Sequence, residues 1–392
     1  MAITKIDITM LEDVTGANNL VKLDANAKIP AGTGANLLNK PGPFTSASDP
    51  TISSNKTLGT EWLNSASGEM YICTDATAGE NVWTNVGAGT GDVAPYYWGG
   101  ETYGYTCGGT DGSSGQINPI DKFSFTSDAD ATDVGDLAVA RHNCAGHQSA
   151  TYGYNFGGWG PSYSNVIEKV SFSTDGNATD VGDTTNVTHG PTGSSSATYG
   201  YQQGGKATSS SWLNIIDKVS YSADGNATDV GDLTLERQQG GGHSSATHGY
   251  MSGGNRNYGT LYDRIDKHIF SSDSNATDVG NTLAARSSWA AQSSETYGYT
   301  SGGGSNNAGV NVIQKFSFSS DGNSTDVGDT VSTRYGQCGQ SSLTYGYESG
   351  GGYPTEVTTF NQIDKFSFSA DGNSTDVANL TVPRLNSAGN SH

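Results

Sequence analysis

Apolar and polar residues alternate with a period of two along most of the chain, in short runs cut off by Gly, Asp and Asn, as in Phe123-Ser124-Phe125 and Phe366-Ser367-Phe368. That period places successive side chains on opposite faces of an extended backbone, so the pattern predicts strands joined by tight turns and not helices. The runs recur. T-Y-G-Y begins at Thr102, Thr151, Thr198, Thr296 and Thr344, with Thr247-His248-Gly249-Tyr250 as a variant, giving six copies of a unit 47 to 49 residues long. Each continues with a Gly pair, from Gly108-Gly109 to Gly350-Gly351, and then a stretch that differs in every copy. Next comes Ile-acid/amide-Lys, at Ile120, Ile167, Ile216, Ile265, Ile313 and Ile363, followed by a turn such as Asp175-Gly176-Asn177 and by Ala/Ser-Thr-Asp-Val, as in Ala131 to Val134. An Arg closes five of the six copies: Arg141, Arg237, Arg286, Arg334 and Arg384.

Four strands fit one unit: a after the Arg, b from T-Y-G-Y to the Gly pair, c at Ile-Asp-Lys, and d at Thr-Asp-Val. A four-stranded sheet repeated every ~45–50 residues is the sequence signature of a propeller blade, because radial packing leaves each sheet only short, protected edges. An all-β, six-bladed propeller is therefore expected over residues 92–392. The Gly pair, the aromatic on b, the c–d turn and the Arg opening strand a resemble kelch repeats, although the Trp usual on the kelch d strand is absent. Residues Arg384 to His392 repeat the strand-a segment that starts at Arg141, so the C-terminal strand 384–392 is expected to close the ring on the first blade. The alternative is closure by Tyr96 to Gly100.

Residues 1–91 lack the repeat. Residues 1–50 read as an extended arm or linker, dense in Pro, Gly and Ser from Lys40 to Asn55. Residues 51–91 read as a small antiparallel β module anchored by Trp62, Tyr71 and Trp83. Leu20 to Ala31 with Leu37-Leu38-Asn39 resembles a short segment of bacteriophage tail-fibre and collar proteins. Gly59 to Asn64, Gly68 to Asp75 and Asn81-Val82-Trp83 resemble a β module recurrent in phage structural proteins. The resemblance implies a virion appendage of tail-fibre or spike type, made in the host bacterial cytoplasm, with the arm attached to other virion proteins.

Charge narrows the functions further. The 39 acidic against 19 basic residues leave −20, which opposes nucleic-acid binding and attraction to anionic lipid. No run approaches the ~18 apolar residues of a membrane span, and Met1 to Met10 lacks the form of a secretion signal. Cys73, Cys107, Cys144 and Cys338 stand at unrelated spacings and read as free thiols, with neither a disulfide framework nor a zinc site. The 55 Gly and 10 Pro are compatible with a folded chain rich in turns.

Repetition of a charged residue at the same place in every unit points to structure. The Lys of strand c (Lys122, Lys169, Lys218, Lys267, Lys315 and Lys365) is expected to pair with an Asp of strand d. The recurring Asp133, Asp136, Asp180 and Asp183 lack the convergence that calcium needs, so neither a metal nor any other cofactor is expected. His147 and His243 share a slot in strand a and read as solvated channel lining. The S-x-D-G-N stretch is similar to a sialidase Asp-box without its later Gly and Trp, and no nucleophile–base spacing is apparent, so no enzyme is expected. N-x-T at Asn177, Asn226, Asn275, Asn323 and Asn373 is explained by the c–d turn.

The variable stretch between strands b and c carries the remaining chemistry. Trp159, Tyr163, Trp212, Tyr258, Tyr262, Tyr353 and Phe360 stand there among Ser, Asn and Gly, the composition of an adaptable binding surface. Recognition of a bacterial surface glycan or protein is the expected function, in a homo-oligomer of which a trimer is one form. A capsid-decorating fibre or adaptor and a glycan-degrading enzyme are the alternatives.

Overall fold

The computed structural model describes residues 43–86, 99–112, 115–257, 259–305, 308–353 and 358–392. The expected arm therefore lies, up to residue 42, outside the described residues. The chain divides into two compact units, Met1–Pro95 and Tyr96–His392. Among the described residues every element is a strand.

In the first unit, Glu61–Asn64, Met70–Asp75 and Val82–Asn85 form an antiparallel meander around buried Trp62, Tyr71, Cys73 and Trp83. The expected boundary at residue 51 is corrected. Phe44–Ser46 adds a strand parallel to Glu61–Asn64, so the module starts within the segment read as arm and is mixed in direction. Side chains explain the capture. The Phe44 ring packs 4.4 Å from Trp62, Trp62 Nε1 donates to the Ser48 carbonyl at 2.9 Å, and Trp83 Nε1 donates to Thr51 at 3.1 Å.

In the second unit the repeat builds six antiparallel sheets, each in the order a-b-c-d. We number them 1 to 6. Their b strands are Tyr103–Thr110, Tyr152–Phe156, Tyr199–Thr208, His248–Ser252, Tyr297–Ser301 and Tyr345–Ser349. Their c strands run from Gln116–Ser124 in sheet 1 to Gln362–Ser367 in sheet 6. In sheets 2 to 6 strand a precedes strand b in the chain, from Ala145–Gln148 to Cys338–Ser341. In sheet 1 that place is filled from the other end: Ala388–Ser391 pairs with Tyr103–Thr110 in the register Ala388 to Cys107 and Ser391 to Gly104. Gly100 makes a single parallel bridge to Ser342 instead.

Neighbouring sheets meet through contacts that repeat around a closed cycle. The second Tyr of T-Y-G-Y stacks on the aromatic that ends the next sheet's strand c: Tyr105 on Phe172, Tyr154 on Tyr221, Tyr201 on Phe270, Tyr250 on Phe318, Tyr299 on Phe368 and Tyr347 on Phe125, at 4.7 to 4.9 Å. Each such pair adds about 0.5–1.5 kcal/mol beyond its burial. The expected Lys pairing is corrected: each strand-c Lys reaches the c–d turn of the following sheet and not a strand-d Asp. Lys122 meets Asp175, Lys169 meets Asp224, Lys218 meets Asp273, Lys267 meets Asp321, Lys315 meets Asp371 and Lys365 meets Asp128, at 2.5 to 2.9 Å. The turn projects beyond its own sheet, which brings its carboxylate over the neighbour's Lys. In the same turns Asn177, Asn226, Asn275, Asn323 and Asn373 accept the N–H of a strand-d residue of the preceding sheet, and Asp130 does so for Asn379.

At the inner strands the backbones themselves touch. A Cβ on Gly146 would lie 2.1 Å from the Gly389 carbonyl oxygen, and one on Gly193 2.3 Å from that of Gly146, so these slots exclude larger residues. One turn earlier, Asn143, Gly190, Gln239, Ser288, Gly336 and Asn386 all have left-handed φ, between 52° and 68°. Each donates its N–H to the carbonyl of the next: Asn143 to Asn386, Asn386 to Gly336, Gly336 to Ser288, Ser288 to Gln239, Gln239 to Gly190 and Gly190 to Asn143, at 2.5 to 3.0 Å.

The Arg that opens strand a is buried and paired with the acid of strand c in its own sheet. Arg384 meets Asp121 at 2.9 Å, Arg141 meets Glu168 at 3.0 Å, Arg237 meets Asp266 at 3.1 Å, and Arg334 meets Asp364 together with Glu348. Two sheets depart. Sheet 3 has Thr188 in place of the Arg, leaving buried Asp217 to two hydrogen bonds from the Thr185 hydroxyl and one from its N–H. Sheet 5 has Gln314 in place of the acid, so Arg286 has no carboxylate among the described residues.

Breaking a buried pair by removing one partner costs about 3–5 kcal/mol, because the other charge stays buried. Arg384→Met is therefore expected to lower the unfolding free energy from urea titration by an amount of that order, and Arg384→Met/Asp121→Leu to recover most of it. Equal losses in the single and double variants would show that packing, not charge, accounts for the stabilisation.

Candidate functional site

Antiparallel order sorts the connections into two faces. The a–b and c–d turns share one, and the b–c loops with the d–a segments share the other. On the second face each Gly pair turns strand b out with left-handed φ, as at Gly157 (63°) and Gly158 (95°). The residue after each pair then bridges the d–a segment: Trp159 to His142, Lys206 to His189, Asn255 to Gln238, Gly304 to Ser287, Gly352 to Tyr335 and Thr110 to Leu385. The backbone fixes these two slots, while no two sheets carry the same pair of side chains in them.

In sheets 2 and 3 the two slots hold aromatic and basic residues that form one strip. Trp159 is 42% exposed and lies 5.4 Å from His142, 5.9 Å from His189 and 6.2 Å from Tyr163. Tyr163 lies 5.7 Å from His189. His189 exchanges both backbone hydrogen bonds with Lys206 at 2.9 Å, and Lys206 Nζ stands 5.1 Å over the Trp212 ring. His189 is thus the hub between the loops. Its Nε2 is held 2.9 Å from Asn143 Nδ2 and its Nδ1 3.3 Å from Gln238 Oε1. Burial, with His189 close by, pushes His142 down to about 4, and burial lowers His189 as well, so the strip carries neutral imidazoles at neutral pH. Two buried polar atoms within it have no partner, His142 Nδ1 and Trp212 Nε1.

Of the seven residues expected to bind, the fold brings Trp159 and Tyr163 into ring contact around His189, and Trp212 joins the strip through Lys206 alone. Tyr262 sits half-buried in sheet 4 with its N–H on Gly254, and Tyr353 packs on Phe360 in sheet 6 at 5.0 Å. No ring contact joins these three to the strip among the described residues. Tyr258 lies outside the described residues. His142, His189 and Lys206 escaped sequence reasoning. Their only signal is position, directly after the Arg or Thr and after the Gly pair.

The six inner strands line an open cavity whose walls are Gly, Ser, Ala, Thr, Gln and Asn with Cys144, Cys338, Pro191 and Trp289, and without an acidic or basic side chain. His147 and His243 are absent from this lining, which corrects their reading as solvated channel residues. Both point between sheets, 0% and 1% exposed, with Nδ1 on the carbonyls of Ser194 and Gln292 and their rings against Phe156 and Phe316. The same slot holds Gln292, Gln340 and Asn390 in other sheets, whose amides also reach a neighbouring sheet's carbonyls. The four cysteines are buried free thiols, and among the described residues no three His, Cys, Asp or Glu side chains converge as metal ligands.

No protein-family model and no curated protein matches this chain.

Burial holds both His147 and His243 at about 4, below the unfolded value of 6.5. Their contribution to stability is therefore full above pH 6.5 and is lost as pH falls from 6.5 toward 4, by roughly 3 kcal/mol per histidine. Asp364 works in the opposite direction: burial raises its carboxyl to about 7, so its contribution is full below 3.8 and is lost as pH rises through 7. His147→Gln/His243→Gln is expected to keep the neutral-pH stability and flatten the acid loss relative to wild type, a difference in which Asp364 cancels. Parallel stability–pH curves from urea unfolding would refute the assignment.

Proposed function

We propose that the six sheets are the blades of a six-bladed, kelch-like propeller and that the protein is a non-enzymatic bacteriophage virion component of tail-fibre or spike type. Its N-terminal residues attach to other virion proteins, and the face of variable loops recognises a bacterial surface glycan or protein. The cycle of inter-sheet contacts supports the propeller. Exposed Phe44, Leu58 and Val86 on the small β module supply apolar surface for attachment. The observation that carries the recognition role is the contrast between the faces. One is tied up in repeated pairings, whereas the other holds recurring backbone bridges with a different pair of side chains in each sheet and the Trp159 strip. Aromatic rings flanked by small polar residues give contact area at low entropic cost, and single weak sites gain from display in a homo-oligomer.

Labelled full-length protein is expected to bind bacterial cells saturably and with strain selectivity. Trp159→Ala/Trp212→Ala/Tyr262→Ala should abolish that binding with the melting temperature unchanged. Undiminished attachment by the triple variant would overturn recognition through this face. Binding to purified capsids without binding to cells would favour a decorating or adaptor protein.

A further inference from the structure

We infer that the Trp159–Lys206 strip of sheets 2 and 3 is a saccharide subsite selective for an anionic sugar unit, its pyranose face on Trp159 and its carboxylate or phosphate on Lys206. This inference rests on the proposed recognition role.

Three observations select the strip. Among the described residues Trp159 is the only exposed Trp; Trp62, Trp83 and Trp289 are buried and Trp212 half-buried. An exposed indole costs free energy in water, and a pyranose presents an apolar face of C–H groups that covers it. Tyr163 stands at the side, and its hydroxyl can exchange hydrogen bonds with sugar hydroxyls. Next to this platform, His142 is nine-tenths buried and its Nδ1 lacks a partner, as does Trp212 Nε1, so the strip holds hydrogen-bonding capacity the fold does not consume.

The cation decides the charge class. Among the described residues 99–392, twelve of the fourteen Lys and Arg side chains have a carboxylate within 4.0 Å. The two without one are Lys206 and Arg286. Arg286 stands where its equivalents are buried at the acid of strand c, and its lost partner is accounted for by Gln314. Lys206 has no equivalent Lys in the other sheets, lies on the loop face and is positioned by the Trp212 ring, to which a cation is attracted. The b–c loops of sheets 2 and 3, Gly157 to Ser164 and Gly204 to Ser211, contain no acidic residue to neutralise it. The chain's net charge of −20 repels a dense polyanion. With screening over ~8 Å at physiological salt, one acidic unit within an otherwise neutral chain is the form that fits.

The test uses full-length protein and three sets of oligosaccharides on the same hexose backbone: unsubstituted, bearing one hexuronate, and bearing one phosphomonoester. Wild type is expected to bind one anionic set ~10-fold tighter than the neutral set, and Lys206→Gln to remove that preference, as for loss of a charge-assisted hydrogen bond. The better of the two anionic sets identifies the group. Trp159→Ala should weaken every set by ~30-fold, the scale of a buried aromatic anchor, whereas Tyr353→Ala should have no effect. Equal binding of neutral and anionic sets, unchanged by Lys206→Gln, would overturn the anionic assignment and leave glycan recognition standing. Loss through Tyr353→Ala and not through Trp159→Ala would overturn the location. Binding to cells with none to any set would overturn the subsite in favour of a protein receptor, and binding to neither would overturn the recognition role itself.

Discussion

Six backbone hydrogen bonds running from Asn143 through Asn386, Gly336, Ser288, Gln239 and Gly190 back to Asn143 form the constraint around which the repeat unit is organised. A linear stack of sheets would leave one donor and one acceptor unmatched at its ends, whereas a cycle leaves none. Gln239 and Ser288 hold left-handed backbone to take part, at a cost of roughly 1–2 kcal/mol each. That the conformation persists in non-glycine residues indicates how strongly the surrounding packing determines it. The aromatic stacks, the Lys–Asp pairs and the Asn-to-backbone bonds are cycles of the same order, each crossing from sheet 6 to sheet 1. Because they cross, the pairing of Ala388–Ser391 with Tyr103–Thr110 is held by inter-sheet contacts as well as by its own ladder.

Within this frame the slots tolerate substitution when the chemistry at the far end is met. The strand-a slot accepts His, Gln or Asn because each carries an N–H that reaches a neighbouring carbonyl. The Arg slot is less permissive, since a buried guanidinium and a buried carboxylate must be matched. Sheet 6 carries a surplus acid: Glu348 joins Asp364 on Arg334, and the Asp364 carboxyl rises to about 7 mainly through burial. Sheet 3 has a surplus acid by a different route, Asp217 being buried where Thr188 replaces the Arg, and burial raises its carboxyl too. Thr188 directly precedes His189, the hub of the strip, so the one junction without its Arg is the one that carries the aromatic and histidine cluster.

Much of the fold was legible because strands a to d coincide with short alternating runs bounded by turn residues, and a period of two has a single structural reading. What lay beyond the pattern was lost where the decisive partner is distant in sequence. The repeat suggests an Asp of strand d as the partner of Lys122, but that partner, Asp175, lies in the c–d turn of the next unit. Nothing local to strand a distinguishes His147 and His243 from solvated channel residues; the next sheet buries them, His147 with its Nδ1 on the Ser194 carbonyl and His243 with its ring on Phe316. Composition places Phe44 in a linker, yet its partner Trp62 is what captures it. For the site, the aromatics of the b–c loops were visible as a set, but their grouping was not. The contact between Trp159 and Trp212 regions runs through His189 and Lys206, residues whose neighbours are fixed by backbone bridges that no local motif announces.

The division between the faces follows from where these cycles place their bonds. The c–d turn must supply a carboxylate to one Lys and an Asn or Asp oxygen to one N–H of the preceding sheet, so its sequence is committed in every unit. The a–b turn is committed as well, its Ser hydroxyl accepting N–H groups of the following strand, as Ser149 does from Thr151 and Tyr152. The b–c loop owes the frame backbone bonds at its base, the two of the bridge and the one its second Gly donates to the next Arg or Thr carbonyl, as Gly109 does to Arg141 and Gly158 to Thr188, and a backbone bond makes no demand on the side chain of the residue after the Gly pair. Substitution there, including Trp in one sheet and Lys in the next, costs the cycle nothing. Side-chain variety therefore accumulates on the face where the cycle of contacts makes no demand on sequence, and the Trp159 strip adjoins sheet 3, one of the two sheets whose buried ion pair is absent.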